Sequence, residues 1–278
     1  MNKTSLNIQV LYKEMGKTEK RIADWILAHP GKIISLSIVE LAEQCGCSEA
    51  TIVRFSKRLG LSGYQELKIS LAAESGTETV STSITAGDSA FTIYEKVCND
   101  IYCSLELTKK SLDQEKFSLA AQTICHSDKI VLFGLGNSAS VALDASHKFM
   151  RTGLNAVAYS DNHMQVIAAS HLKENDTAIA VSHSGSSKDI VDALKIAKDH
   201  GARTIAITNH GKSPLLKYTD IPLFTSSAET QYNILALNSR IAQLAIIDTL
   251  YFYVVYHGSS KTLASIRETE QSLLSKKY

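Results

Sequence analysis

Apolar residues near the start of the chain recur at helical spacing. Ile22, Trp25 and Ile26 share one face of a helix that the pattern predicts from Thr18, as its cap, to His29, where Pro30-Gly31 ends it. Ser37-Ile38-Val39-Glu40 has the spacing of a capping box and opens a second helix through Gln44. Gly46 turns the chain, Ser48 caps again, and Glu49–Leu59 forms a third helix ended by Gly60. After two more helical stretches, about Ala90–Leu112 and Gln114–His126, the pattern changes. Short β-rich apolar runs now follow at regular intervals: Lys129–Phe133, Ala156–Tyr159, Thr177–Val181, Thr204–Ile207 and Ile221–Phe224. Helical stretches separate them, such as Ser187–His200 with Ile190, Val191, Leu194 and Ala197 inward. That alternation predicts parallel βαβ units with right-handed crossovers. The fold class expected is therefore α/β: an all-helical N-terminal domain and a C-terminal doubly wound five-stranded parallel sheet.

Between the two patterns the composition shifts. Ten of the fifteen residues Ser75–Ser89 are Ser, Thr or Gly, and no Lys or Arg occurs between Lys68 and Lys96. Such a stretch reads as a flexible linker. The expected division is 1–75, linker 76–89, and 90–278.

Of the 278 residues 44% are hydrophobic and 21% charged, which supplies a core and argues against wholesale disorder. The net charge is +1, so any attraction to a polyanion must be local. The five cysteines, with no secretory pattern in residues 1–16, point to reduced thiols in the cytoplasm. Cys45-Gly46-Cys47 lacks two further ligands nearby, so no metal is expected, and no other cofactor. The most apolar stretch, Ile241–Tyr256, contains Asp248 and falls short of the ~20 residues a bilayer needs. No membrane partner is expected.

The second and third helices pass a positional test. Ala42, Gly46 and Ile52 supply a small residue at a helix crossing, a turn glycine and an aliphatic pin, the needs of a helix-turn-helix. On a helical wheel Ile52, Phe55 and Leu59 face inward, while Ala50, Thr51, Arg54, Lys57 and Arg58 face outward behind the Ser48 cap. Arg54 could offer its fork to a base edge, and Lys57 and Arg58 their charge to phosphates. An ordinary amphipathic helix shows a basic face too; spacing, cap and turn together favour DNA.

Two loops carry the other chemistry. The first strand runs into Gly134-Leu135-Gly136-Asn137-Ser138-Ala139, the third into Ser182-His183-Ser184-Gly185-Ser186-Ser187, each followed by a helix. Helix-start amides and hydroxyls can hold a phosphate dianion without cations. Both loops lie at C-terminal ends of neighbouring strands, where open α/β sheets bind ligands. The first loop alone also fits a dinucleotide fingerprint with Asp161 as ribose acid, but that leaves the second loop unexplained. Glu229, His163 and His183 are possible acid–base or ligand groups, each with an equally simple structural role. Arg240 and Asp248 stand eight apart on one helical face and read as structural.

These residues resemble a known family. Ser48-Glu49-Ala50-Thr51-Ile52-Val53-Arg54-Phe55 with Lys57-Arg58-Leu59-Gly60 is similar to the helix-turn-helix of the RpiR/MurR transcriptional regulators. The C-terminal part resembles a sugar isomerase (SIS) domain. The resemblance implies a phosphosugar site at Gly136, Asn137, Ser138, Ser182, His183, Ser184, Gly185 and Ser187, with Glu229 facing the sugar. SIS enzymes commonly have Gln where this chain has His183. It also implies a homodimer or homotetramer that binds operator DNA and responds to a phosphosugar effector. The rival is a phosphosugar isomerase or etherase with Glu229 as base; a tethered DNA-binding domain favours regulation.

Overall fold

A computed structural model describes residues 4–30, 32–33, 36–75, 84–209, 211–226, 237–274 and 276. Glu229 and linker residues 76–83 lie outside the described residues. Two compact units emerge, Met1–Asp100 and Ile101–Ser227 with Leu237–Tyr278; the boundary falls inside a long helix, α6 (Ala90–Ser111).

In the first unit, α1 (Thr4–Leu11), α2 (Lys17–Ala28), α3 (Ile38–Gln44), α4 (Glu49–Arg58) and α5 (Tyr64–Ser75) precede α6. They enclose one core of fully buried Ile8, Ile22, Ile26, Leu41, Ile52, Phe55 and Leu67. The expected inward face of the third helix is thus the buried one. The capping box is present: Glu40 N–H donates to Ser37 Oγ at 3.2 Å and Ser37 N–H to Glu40 Oε2 at 2.8 Å. The start of α2 differs from expectation. Gly16 is its cap instead of Thr18, because Glu19 reaches back to accept the Gly16 N–H at 3.0 Å. The amides of Thr4 and Ser5, which open α1, donate to the Glu74 carboxylate near the end of α5. Past residue 83, Asp88 accepts from Thr85 N–H and Lys96 Nζ, both at 2.7 Å, and Ser89 Oγ accepts Thr92 N–H at 3.1 Å. The last expected linker residues therefore form the cap of α6.

The second unit follows the βα alternation. After α7 (Gln114–Cys125) come β1 (Ile130–Phe133), α8 (Asn137–Arg151), β2 (Ala156–Tyr159), α9 (Asn162–Ala169), β3 (Thr177–Val181), α10 (Lys188–Asp199), β4 (Arg203–Thr208), β5 (Ile221–Phe224), α11 (Leu237–His257) and α12 (Ser260–Leu274). The five strands are parallel in the order β2-β1-β3-β4-β5, with Ile130 paired to Ala156 on one side and to Thr177 on the other. Period-two alternation splits the strands between two cores. Ile130, Leu132, Ile179, Val181, Ile205 and Ile207 pack with α7, α8 and α11. Val131, Phe133, Ala178, Ala180 and Ala206 pack with α9 and α10, where Ala193 and Ala197 meet them. That second interface is built largely from alanine, so α10 sits close on the sheet. Asp248 on α11 ends as a structural ion pair with Lys148 of α8, which also holds Asp144 at 2.5 Å. No described helix is long and apolar enough to cross a membrane.

Candidate functional site

The helix-turn-helix geometry begins at the turn between α3 and α4. Cys47 N–H reaches back to Ala42 O at 2.9 Å, and Gly46 has φ 57°, a left-handed conformation that costs glycine little. Arg21 Nη2 donates to Gly46 O at 3.1 Å and braces the turn from α2. Burial, and then the neighbouring Cys47, push the Cys45 thiol up to about 11; burial raises Cys47 as well. Both thiols are therefore protonated near neutral pH in this packing, with Cys45 buried in the core of the first unit.

On α4, Ser48 Oγ accepts the Thr51 N–H at 3.3 Å and lies 2.9 Å from Thr51 Oγ1. Thr51 Oγ1 in turn accepts from Arg54 Nη2 at 3.3 Å. A chain of polar groups thus pre-orients Arg54 across the exposed face. Ser48, Ala50, Arg54 and Lys57 are exposed and Thr51 is half-buried. Arg58 is exposed but engaged. Its guanidinium donates to Glu19 Oε2 at 2.8 Å and to Glu14 O at 2.9 Å, tying α4 to the start of α2.

In the second unit the strand order reverses between β1 and β3, and both hydroxyl-bearing loops leave the sheet there. That is the topological switch point of a doubly wound sheet. Helix α8 starts at Gly136 and α10 at Ser187, and neither start has a side-chain cap. Among the described residues, five other helices have side-chain caps, from Ser37, Ser48, Ser89, Asp113 and Asp161. Two helix starts without a side-chain cap therefore adjoin the switch point; at α8 the Ser138 and Ala139 amides turn back onto Leu135 O and Gly136 O, both at 3.1 Å.

The second loop is held from behind. Ser182 is buried and its N–H donates to Ile207 O at 3.0 Å. The His183 carbonyl accepts from Asn209 N–H at 2.9 Å and from Thr208 Oγ1 at 3.3 Å. Gly185 adopts φ 60°; a Cβ there would meet Ser213 Oγ, with Ser213 Cβ at 2.7 Å and Thr208 Oγ1 at 3.0 Å. Only glycine combines that backbone with that clearance. Ser184 Oγ accepts Ser186 N–H at 3.3 Å, closing a small turn before α10. Of the first loop, Gly136 and Asn137 are exposed and Ser138 is half-buried.

The other candidates are spread out. Asp161 is used as the cap of α9, accepting Met164 N–H at 3.0 Å, so its carboxylate is spoken for by the fold. His163 lines a groove of about 330 Å³ between α9 and α10, with Asn162, Asp189 and Asp192, rather than the space between the loops. Three residues missed by reading the sequence support the crevice: Thr208, Ser213 and Gln165. Gln165 is fully buried on the inward face of α9 beside Ala168 and Ala169. A polar amide in the apolar phase of that helix was the available signal. Thr208 and Ser213 gave none, since they reach the loop from the end of β4 and the segment after it.

Residues 2–78 match the helix-turn-helix domain of the rpiR family, and residues 123–253 match the SIS domain. An HTH-type transcriptional regulator of Caldanaerobacter subterraneus subsp. tengcongensis is 38% identical over 262 residues, covering 94% of this chain and 93% of that protein. The HTH-type transcriptional regulator HexR of Pseudomonas aeruginosa is 33% identical over 273 residues, with 98% and 95% covered. Among solved structures, the Vibrio vulnificus NanR protein complexed with ManNAc-6P has the same fold, with a TM-score of 0.84 at 23% identity over 99% of both chains.

Proposed function

Because this chain belongs to the RpiR family of helix-turn-helix transcriptional regulators, we propose that its sheet domain is the sensor and that its effector is a phosphosugar. The observation that carries the reading is the pair of uncapped helix starts, α8 and α10, at the switch point between β1 and β3. Gly136, Asn137 and Ser138 would supply one half of a phosphate cradle, and Ser182, His183, Ser184, Gly185 and Ser187 the other. A site made of amides and hydroxyls fits a dianion attached to a neutral sugar. The NanR fold relative was solved with a sugar phosphate, which supports the same class here.

On the DNA side, Arg54 reads a base edge, Lys57 contacts phosphate, and Ser48, Ala50 and Thr51 lie along the groove. Arg58 acts as a strut in place of a phosphate contact, since Glu19 and Glu14 hold its head. Residues 1–75 form the DNA-binding domain, 76–89 the linker and 90–278 the sensor. The protein works in the cytoplasm as a homodimer or homotetramer, with effector binding changing the spacing of two DNA-binding domains. The regulator reading is preferred over the isomerase one because a tethered DNA-binding domain serves regulation and isomerisation needs none; the base of the rival reading, Glu229, lies outside the described residues.

Operator titrations on the full-length protein, with and without a panel of sugar phosphates, test this. The Ser182→Ala, Ser184→Ala double variant should still bind operator and lose the response. A response that survives in that variant, or turnover of a sugar phosphate by the pure protein, would overturn the reading.

A further inference from the structure

Gln165 sits where β1 and β2 both end. Its Nε2 donates to Tyr159 O at 2.9 Å and to Gly134 O at 3.3 Å, and its Oε1 is buried without a partner among the described residues. The orientation of the carboxamide follows from chemistry. Both neighbours are carbonyl oxygens, which only the NH2 end can satisfy; the flipped amide would set three acceptors against one another. An orphaned buried acceptor costs stability, and such groups call for a structural or functional reason.

The consequence runs through peptide geometry. In a trans peptide the carbonyl and the following N–H point in opposite directions. With the Gly134 carbonyl held by Gln165, the Leu135 N–H of the same peptide points the opposite way, away from Gln165. Gln165 thus fixes the first amide of the glycine loop without touching the crevice through its own exposed surface, of which it has none.

We infer that Gln165 is a positioning residue for the anion site, setting the Leu135 peptide of the β1–α8 loop and linking it to the end of β2. This rests on the crevice being the phosphate site. Gln165→Met keeps the volume and removes both donors. Ser146→Ala is the control: Ser146 is buried and donates to Ala156 O at 3.0 Å, at the opposite end of β2.

Two readouts on the full-length protein decide. In ligand-free protein, amide hydrogen exchange at Leu135 and Gly136 should speed up at least tenfold in Gln165→Met and stay unchanged in Ser146→Ala. In titrations with inorganic phosphate and glucose 6-phosphate, Gln165→Met should bind at least tenfold more weakly than Ser146→Ala, even where the two lose similar Tm. Unchanged exchange in Gln165→Met, or equal binding by the two variants, would overturn the inference. Ser184→Asp separates the premise from the inference. If it abolishes anion binding while Gln165→Met binds as wild type, only the role of Gln165 falls. If Ser184→Asp binds as wild type, the site lies elsewhere and both fall.

Discussion

Arg58 meets Glu19 at 2.8 Å across 39 residues of sequence, with the two side chains 35% and 22% exposed. Two cations of α4 that look alike on a helical wheel, Arg54 and Arg58, therefore have different surroundings. One is steered by a hydroxyl across the exposed face, and the other closes the domain.

Arg54→Ala should cost about 1–3 kcal/mol on operator DNA and relax sequence preference. Lys57→Ala should weaken all sequences alike and lower the salt slope by about one. Arg58→Ala should instead show as a loss of folding stability of about 0–1 kcal/mol, with the salt slope kept. Binding isotherms at several salt concentrations, alongside thermal melts, separate the three; a flattened slope for Arg58→Ala would return it to the phosphate contacts.

Ser184→Ala should remove one donor from the cradle, weakening sugar-phosphate binding by roughly 1.5–3 kcal/mol for a charge-assisted bond. Ser184→Asp should do worse, since it sets a carboxylate where a dianion must sit. Calorimetry of both variants with the effector checks the order.

Gly185→Ala should be costly for two reasons at once: a left-handed backbone and a Cβ driven against Ser213. Left-handed strain alone is of order 1–3 kcal/mol. The expected outcome is a lower Tm together with lost effector binding. The Ser213→Gly, Gly185→Ala pair should recover part of the Tm, because the hydroxymethyl in the way is gone.

Asp220 predicts an acid-side effect. Burial opposes its ionisation, but hydrogen bonds from Lys198 Nζ at 3.0 Å and from the Thr204 N–H and hydroxyl outweigh it and hold its pKa below 3.8. A depressed carboxylate stabilises the fold above its unfolded pKa and loses that contribution as pH falls through the folded value. Asp220→Asn should therefore lower stability at pH 7 by about 1 kcal/mol, discounted for partial exposure. The gap to wild type should close as the pH falls below about 4. Melts from pH 7 to 3 would show it.

Local signals carried much of the architecture. The Ser37–Glu40 box and the Ser48 cap are complete within four residues of sequence, and β2, β3 and β5 fall at their expected bounds. What escaped depends on distant partners. Helix α1 is opened by Glu74, 70 residues away, so no neighbouring residue announces it. The true cap of α2 is a glycine with no side chain, recognisable only once Glu19 is seen to turn back. Arg58 and Gln165 are local in sequence and long-range in partner. The hydroxyl loop could be picked out, but not the Thr208 and Ser213 buttress behind it.

The alanine-built interface between the sheet and α10 has a consequence for how such a sensor diversifies. Ala178, Ala180, Ala193, Ala197 and Ala206 have no side chain to trim short of glycine, and enlarging any of them would lever α10 off the sheet at about 1–3 kcal/mol. The aliphatic face opposite can trade methylenes at most of its positions; these five positions cannot. If the proposed site is the sensor, inherited or engineered change in its effector falls on the loop tips, while the floor beneath stays fixed. Effector choice and foldability become separately adjustable traits, and a lineage can explore new effectors without first surviving a weakened scaffold.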